Sequence, residues 1–189
     1  YERDKKVNKW CKTNRVEWIQ FPTNGVVRGL KDRNLWSKIW KERIHAPIIP
    51  QSKSRVMPLE IVSKKFSKKP DWWKDKSDRQ IKSPLRQNGY SRIGIERFKR
   101  FLDQDCSNYR QGMSSPLVAP VVCSRMSPYL ATGVISVKEI YQMTQEYLLT
   151  IKPIKSKTEP GVNKWKSLNS FVRRLHWRCH FIQKLEMEP

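Results

Sequence analysis

The sequence predicts a mainly α-helical protein, and three observations carry that reading. Apolar residues recur at helical spacing over 32–46, 91–107, 136–149 and 164–188. Capping residues stand where several of those runs begin. Strand-like alternation is confined to one short stretch, 16–21. The chain has 189 residues and 39 Lys and Arg against 17 Asp and Glu, a formal net charge of +22. Eight Trp and 38% hydrophobic residues are too many for a disordered tail. No run nears the roughly 18 apolar residues of a membrane span, and the opening YERDKK has no signal-peptide core. The expectation is a globular, basic protein with no membrane partner. Because the chain starts at Tyr1 and stops at Pro189 just after a strong helical pattern, it is read as a piece of a longer protein.

Taken in order, VEWIQF at 16–21 alternates and is closed by Pro-Thr-Asn-Gly, a short strand entering a turn. Asp32 caps a helix carrying Leu35, Trp36, Ile39, Trp40 and Ile44, which Pro47 ends. From 47 to 88 the composition shifts to Pro, Ser and Lys with the pair Trp72-Trp73, as in a connector. Helical spacing returns at Ser91 with Ile95, Phe98, Phe101 and Leu102, and stops before Asn108-Tyr109. A Ser-, Pro- and Val-rich loop then runs to Cys123. Ser127 before Pro128 is an N-cap followed by proline at the first helical position. Ser136-Val137-Lys138-Glu139 is a capping box that launches Val137, Ile140, Tyr141 and Thr144 along one face. After a loop at 150–163, the last helix runs from Lys164 to Glu188.

At about 100° per residue, Trp165, Leu168, Val172, Leu175, Cys179 and Ile182 of that last helix form one stripe, the face to be buried. Trp177 projects to the other side among Arg173, His176, His180 and Lys184. Two readings of it stay open: burial under a second layer of protein, or an aromatic platform for a base flanked by cations for phosphates. His176 and His180 stand i, i+4 with Cys179 between them, but the chain has only one other His and Cys179 belongs to the core stripe. No metal site is expected. The four cysteines show no C-x-x-C spacing, which predicts free thiols and an intracellular, reducing compartment: cytoplasmic, or nuclear in a eukaryote. Charge is uneven, with 27 basic and 10 acidic residues in 1–100 against 12 and 7 in 101–189. Such a field favours a polyanion, nucleic acid first.

The segment CSRMSPYLATG at 123–133 places two hydroxyls three residues apart at a helix start, an arrangement that can bond one anion, though an ordinary capped helix would use the same residues. Together with NGYSRIGIERFKRFLDQDCSNYRQGMSSP upstream, FVRRLHWRCHF later and WIQFPTNGVVRGLKDRNLW near the start, it resembles the photolyase/cryptochrome flavoprotein family. The resemblance is strongest over 89–145 and 165–186. It implies that 1–46 is the C-terminal remnant of an α/β domain, 47–88 a connector, and 89–189 the first part of a helical domain that holds FAD. The fold expectation is therefore a partial photolyase-type helical FAD-binding domain behind that remnant and connector. By the same resemblance Tyr109, Ser124 and Ser127 lie along the flavin diphosphate, Arg178 serves the cofactor, and Trp177 and Arg174 face a lesion in DNA. Cys123 stands where the family has Thr, replacing a hydroxyl by a weak donor, and Arg174 where repairing members often carry Glu. Cys179 and His180 depart from the Glu-Phe of the family's W-R-E-F motif.

The implied function is light-dependent repair of pyrimidine photoproducts, by electron transfer from excited reduced flavin to a flipped-out dimer in UV-damaged DNA. Residues that contact the isoalloxazine lie in the family's C-terminal half, so no catalytic residue is expected within this chain, and that half is its implied missing partner. The alternatives are a cryptochrome-like blue-light photoreceptor without repair activity and a flavin-free basic nucleic-acid-binding module.

Overall fold

The computed structural model describes residues 2–21, 25–50, 86–151 and 161–188. The chain divides into two compact units, Tyr1–Ile48 with Gly89–Pro189, and Ile49–Asn88. Of the second, residues 49–50 and 86–88 are described, and they form neither helix nor strand. Trp72 and Trp73 lie outside the described residues.

The first unit is helical, with no strand among its described residues. Helix α1 (Glu2–Thr13) starts with Glu2 and Asp4 and ends with Lys12, charges that complement the helix dipole. Only Cys11 of α1 is buried, so propensity and ion pairs such as Lys5–Glu2, 3.1 Å, carry much of it. Residues 16–21 do not form the expected strand. A strand must pair its backbone along a ladder, and no strand among the described residues offers one. Val16, Ile19 and Phe21 are instead exposed.

Residues 25–27 are held by side chains from three directions. Trp36 Nε1 donates to the Gly25 carbonyl (2.6 Å) and Arg43 to that of Val26 (3.0 Å). Gln183, fully buried, meets both backbone groups of Val27: Oε1 accepts from its N–H and Nε2 donates to its carbonyl (2.9 Å). Gly25 is required because a Cβ there would run into the Trp40 indole. The segment thus buries its polar backbone without secondary structure.

Asp32 accepts from Asn34 N–H at 2.8 Å and opens a 3₁₀ turn, Arg33–Leu35, that leads into α2 (Trp36–His45). Trp36, Trp40 and Ile44, at i, i+4, i+8, are its buried face. Helix α3 (Ser91–Arg100) continues into a π-helical turn, Phe101–Asp105, and a 3₁₀ turn, Cys106–Asn108. The stretch expected as a loop up to Cys123 holds two single-turn helices, α4 (Tyr109–Gly112) and α5 (Ala119–Val122). Gly112 lets them meet, since a Cβ would strike Val118 and Val122. In α6 (Ser127–Ala131) the expected cap is shifted by one residue: Met126 is the N-cap, and Ser127 and Pro128 are the first helical positions. Proline favours that place because no N–H is needed there.

Helix α7 (Val137–Thr150) begins with the expected cap, Ser136 Oγ accepting from Glu139 N–H at 3.2 Å. Helix α8 (Val162–Met187), the longest among the described residues, packs on α4, α7 and the 3₁₀ turn Cys106–Asn108. Its buried residues are Ser167, Leu168, Phe171, Leu175, Cys179 and Gln183. Trp165 and Ile182, expected in the stripe, are exposed. Two aromatic clusters pack on α8. Phe98, Phe101, Tyr109 and Phe171 have ring centroids 5.2 to 5.9 Å apart, each buried ring contributing about 1.5–3 kcal/mol. Trp36 and Trp40 form the other with Tyr141 and the imidazoles of α8. All four cysteines are free.

Candidate functional site

The candidate site residues come from α4, the loop before α6, and α8. Along α8, Arg174, Arg178, Phe181 and Leu185 follow one another at helical spacing beside the buried stripe. Arg178 bridges to α6, donating to the Leu130 carbonyl at 3.0 Å. Tyr109, at the start of α4, is buried edge-on against Phe101 and Phe171. Desolvation pushes its phenol up to about 12, with Cys123 adding to the rise and Arg174 opposing it, so it is a protonated donor at neutral pH. Those couplings put Tyr109, Cys123 and Arg174 in one neighbourhood.

The loop before α6 has its own fixed geometry. Cys123 takes an extended conformation and its carbonyl accepts from Arg97 at 2.9 Å. Arg97 also pairs with Asp105 at 3.0 Å, so one guanidinium ties α3, the π-helical turn and this loop together. Ser124 is buried, and its Oγ accepts from Met126 N–H at 3.4 Å, leaving its O–H free to donate. Ser127 is exposed and makes no side-chain cap bond. Between them Arg125 sits in the left-handed region at φ 59°, a conformation that costs a non-glycine residue energy and is concentrated at ligand sites. No residue type in the sequence announces it. Burial raises the Cys123 thiol above its ordinary value, so it stays a thiol and a weak donor.

Trp177 is 49% exposed, and the Arg174 guanidinium lies over its ring, 5.0 Å from the centroid. No second layer of described residues buries it. The surroundings assigned to it from the sequence divide in two, however. His176 and His180 turn the other way and pack on Trp36, with centroids 4.9 and 5.4 Å away, and His176 meets Trp40 at 4.7 Å. Burial first, then His180 and Lys41, lowers the pKa of His176. Trp177 instead shares its face with Phe181 and Leu185, both exposed. The platform is therefore more apolar than the sequence suggested. Periodicity could have found Phe181 and Leu185, four and eight residues on from Trp177.

Arg174, Trp177 and Arg178 thus lie on α8, Tyr109 packs against it through Phe171, and the loop of Ser124 leads into α6, which Arg178 bonds. The donor types that an anionic diphosphate takes are present, hydroxyls, a protonated phenol and guanidinium groups, but Ser124 and Tyr109 are buried and only Ser127 offers an exposed hydroxyl. Among the described residues, no group of three or more His, Cys, Asp and Glu gathers as metal ligands would, and no helix is long and apolar enough to cross a membrane. In comparisons with known proteins, no family model, curated protein or solved structure matches this chain.

Proposed function

We propose that this chain is the FAD-binding part of a light-dependent DNA photolyase that repairs pyrimidine photoproducts. The observation that supports the reading is that Arg178 of α8 bonds the Leu130 carbonyl of α6, the helix that the Ser124–Ser127 loop opens, while the same α8 packs Tyr109 through Phe171 and bears the exposed Trp177. Ser124 and Ser127 donate to a diphosphate, Arg178 holds α6 in register while offering further N–H groups, and the buried Tyr109 walls the site against water. The flavin, when bound, supplies the light-driven electron transfer. DNA is the partner, drawn by the +22 charge, with Trp177 and Phe181 as stacking surfaces at the edge of the site.

The test is flavin retention by the purified chain. FAD should stay with the protein through gel filtration, and Ser124→Ala with Ser127→Ala should lower its affinity at least about tenfold by removing two charge-assisted bonds. A folded chain that releases all its FAD overturns the reading. One observation favours a second reading, a cryptochrome-like photoreceptor without repair activity. Arg174 over the Trp177 ring covers a face on which a lesion would stack. Light-driven restoration of a dimer-containing oligonucleotide, by this chain joined to the C-terminal half that the resemblance implies, separates the two, since only the first reading predicts it.

A further inference from the structure

A cavity of 560 Å³, within the size range of small-molecule sites, opens between α1, residues 18–21 and residues 26–28, away from the flank of α8 described above. Its walls combine cations, a carboxylate and aromatic rings. Arg28 is committed to Asp4 at 2.6 Å and reaches Glu186 at 3.9 Å. Arg3 and Arg43 remain. The Arg3 side chain is 90% exposed and only 3.6 Å from Asp4, and Arg43 uses one nitrogen on the Val26 carbonyl, leaving its other donors available. Three arginines against one aspartate make the cavity wall +2.

The aromatic part is unusual in two ways. Phe21 lines the cavity while 82% exposed, a large ring held largely in water. The indole nitrogen of Trp18, also in the wall, is buried without a hydrogen-bond partner. Such a donor lacks an acceptor that folding normally supplies. The other buried orphan among the described side chains is Trp40 Nε1; the ring of Trp18 lines the cavity, while its nitrogen is itself closed to solvent. Gln20 adds a side-chain amide able to donate and accept. A ligand that satisfies all of these has a flat ring with polar edges and a tetrahedral dianion, which two guanidinium groups bind in bidentate fashion.

We propose that this cavity binds a nucleotide unit, its base against Phe21 and Trp18 and its phosphate on Arg3 and Arg43. The unit comes either as a free nucleotide or as one link of a nucleic-acid strand. The inference is independent of the flavin reading, because none of its residues is shared with that site.

The experiment uses 1,N6-ethenoadenosine monophosphate as a fluorescent probe and ethenoadenosine as its phosphate-free counterpart, titrated with the whole chain. The monophosphate should bind about tenfold or more tighter than the nucleoside. Arg3→Gln, on an exposed side chain, should remove that advantage without changing nucleoside binding. Phe21→Ala should weaken both by about tenfold, the effect of losing one stacked ring. Displacement of the probe by an oligo-dT decamer identifies a strand as the source, and its failure to compete identifies a free nucleotide; the site stands in either case. Three results overturn it: no saturable binding of the monophosphate, equal affinity for monophosphate and nucleoside, or binding that survives Arg3→Gln and Phe21→Ala but is lost in Ser124→Ala with Ser127→Ala. The last would assign the signal to the flank of α8.

Discussion

The two flanks of α8 are built from the same helix and treated differently by the rest of the molecule. On one, His176 packs on Trp36 and Trp40, His180 on Trp36, and Gln183 bonds the backbone of Val27. On the other, Arg174, Trp177, Phe181 and Leu185 meet water although three of the four are apolar. The sequence places the histidines on the outer side together with Trp177, whereas the structure packs them inward and leaves Trp177 out. The difference teaches that the polar flank is structural and the apolar one is available, which is where a functional surface is to be sought.

The largest expected effect breaks the sealed flank at its centre. Trp36→Ala removes a fully buried indole that stacks on both histidines and donates to Gly25, and should destabilise the fold by about 3–5 kcal/mol in urea unfolding. Next, Gln183→Ala leaves the N–H and carbonyl of Val27 buried without partners and should cost about 2–4 kcal/mol in the same assay. A loss under half that size would mean that water enters and satisfies the segment.

Acidity probes the same flank more gently. The folded-state pKa of His176 lies below its ordinary value of 6.5, because burial disfavours the charged ring. The unfolded chain then takes up the proton first as pH falls. The contribution of His176 to stability is therefore complete above about pH 6.5 and declines below it, down to the folded pKa. Thermal midpoints should fall on acidification through this window in the native chain and fall less in His176→Gln.

The smallest effect sharpens the contrast from the open flank. Trp177→Ala and Phe181→Ala should each change stability by less than about 1 kcal/mol, the range of half-exposed side chains and a single surface cation–π contact. If either unfolds the protein, the flank is structural after all and the comparison fails.

Much of the helical framework was legible because its signals are local. The Ser136 cap acts three residues away, the Asp32 cap two residues away, and the i, i+4 stripe of Trp36 and Trp40 needs only one helix to define it. What was not legible depends on partners distant in sequence. Gln183 reads as a surface residue until it is seen bonding Val27, 156 positions earlier. For the same reason helical periodicity of the apolar residues placed Trp165 and Ile182 in the buried stripe, where the structure buries Phe171 and Gln183. The alternation of 16–21 is a true pattern with no ladder to join. At the candidate site, residue types pointed to Ser124, Ser127 and Trp177, and Tyr109 came only from the family resemblance, but neither the left-handed Arg125 nor the Arg97 bridge to Cys123 has a local signature.

The π-helical turn at Phe101–Asp105 bears on how the length of this chain should be compared with that of any other. Such a turn takes up one residue more than an α-helical turn over the same stretch of helix axis. Loss of one residue there would convert it to an ordinary turn and leave Cys106 and Tyr109 in phase with α8. Loss of one residue from α3 proper would instead rotate everything after it by about 100° and carry Tyr109 off the flank. A homologue one residue shorter in this region should therefore be aligned with its gap between 101 and 105, the one place along this helix where a deletion is geometrically silent.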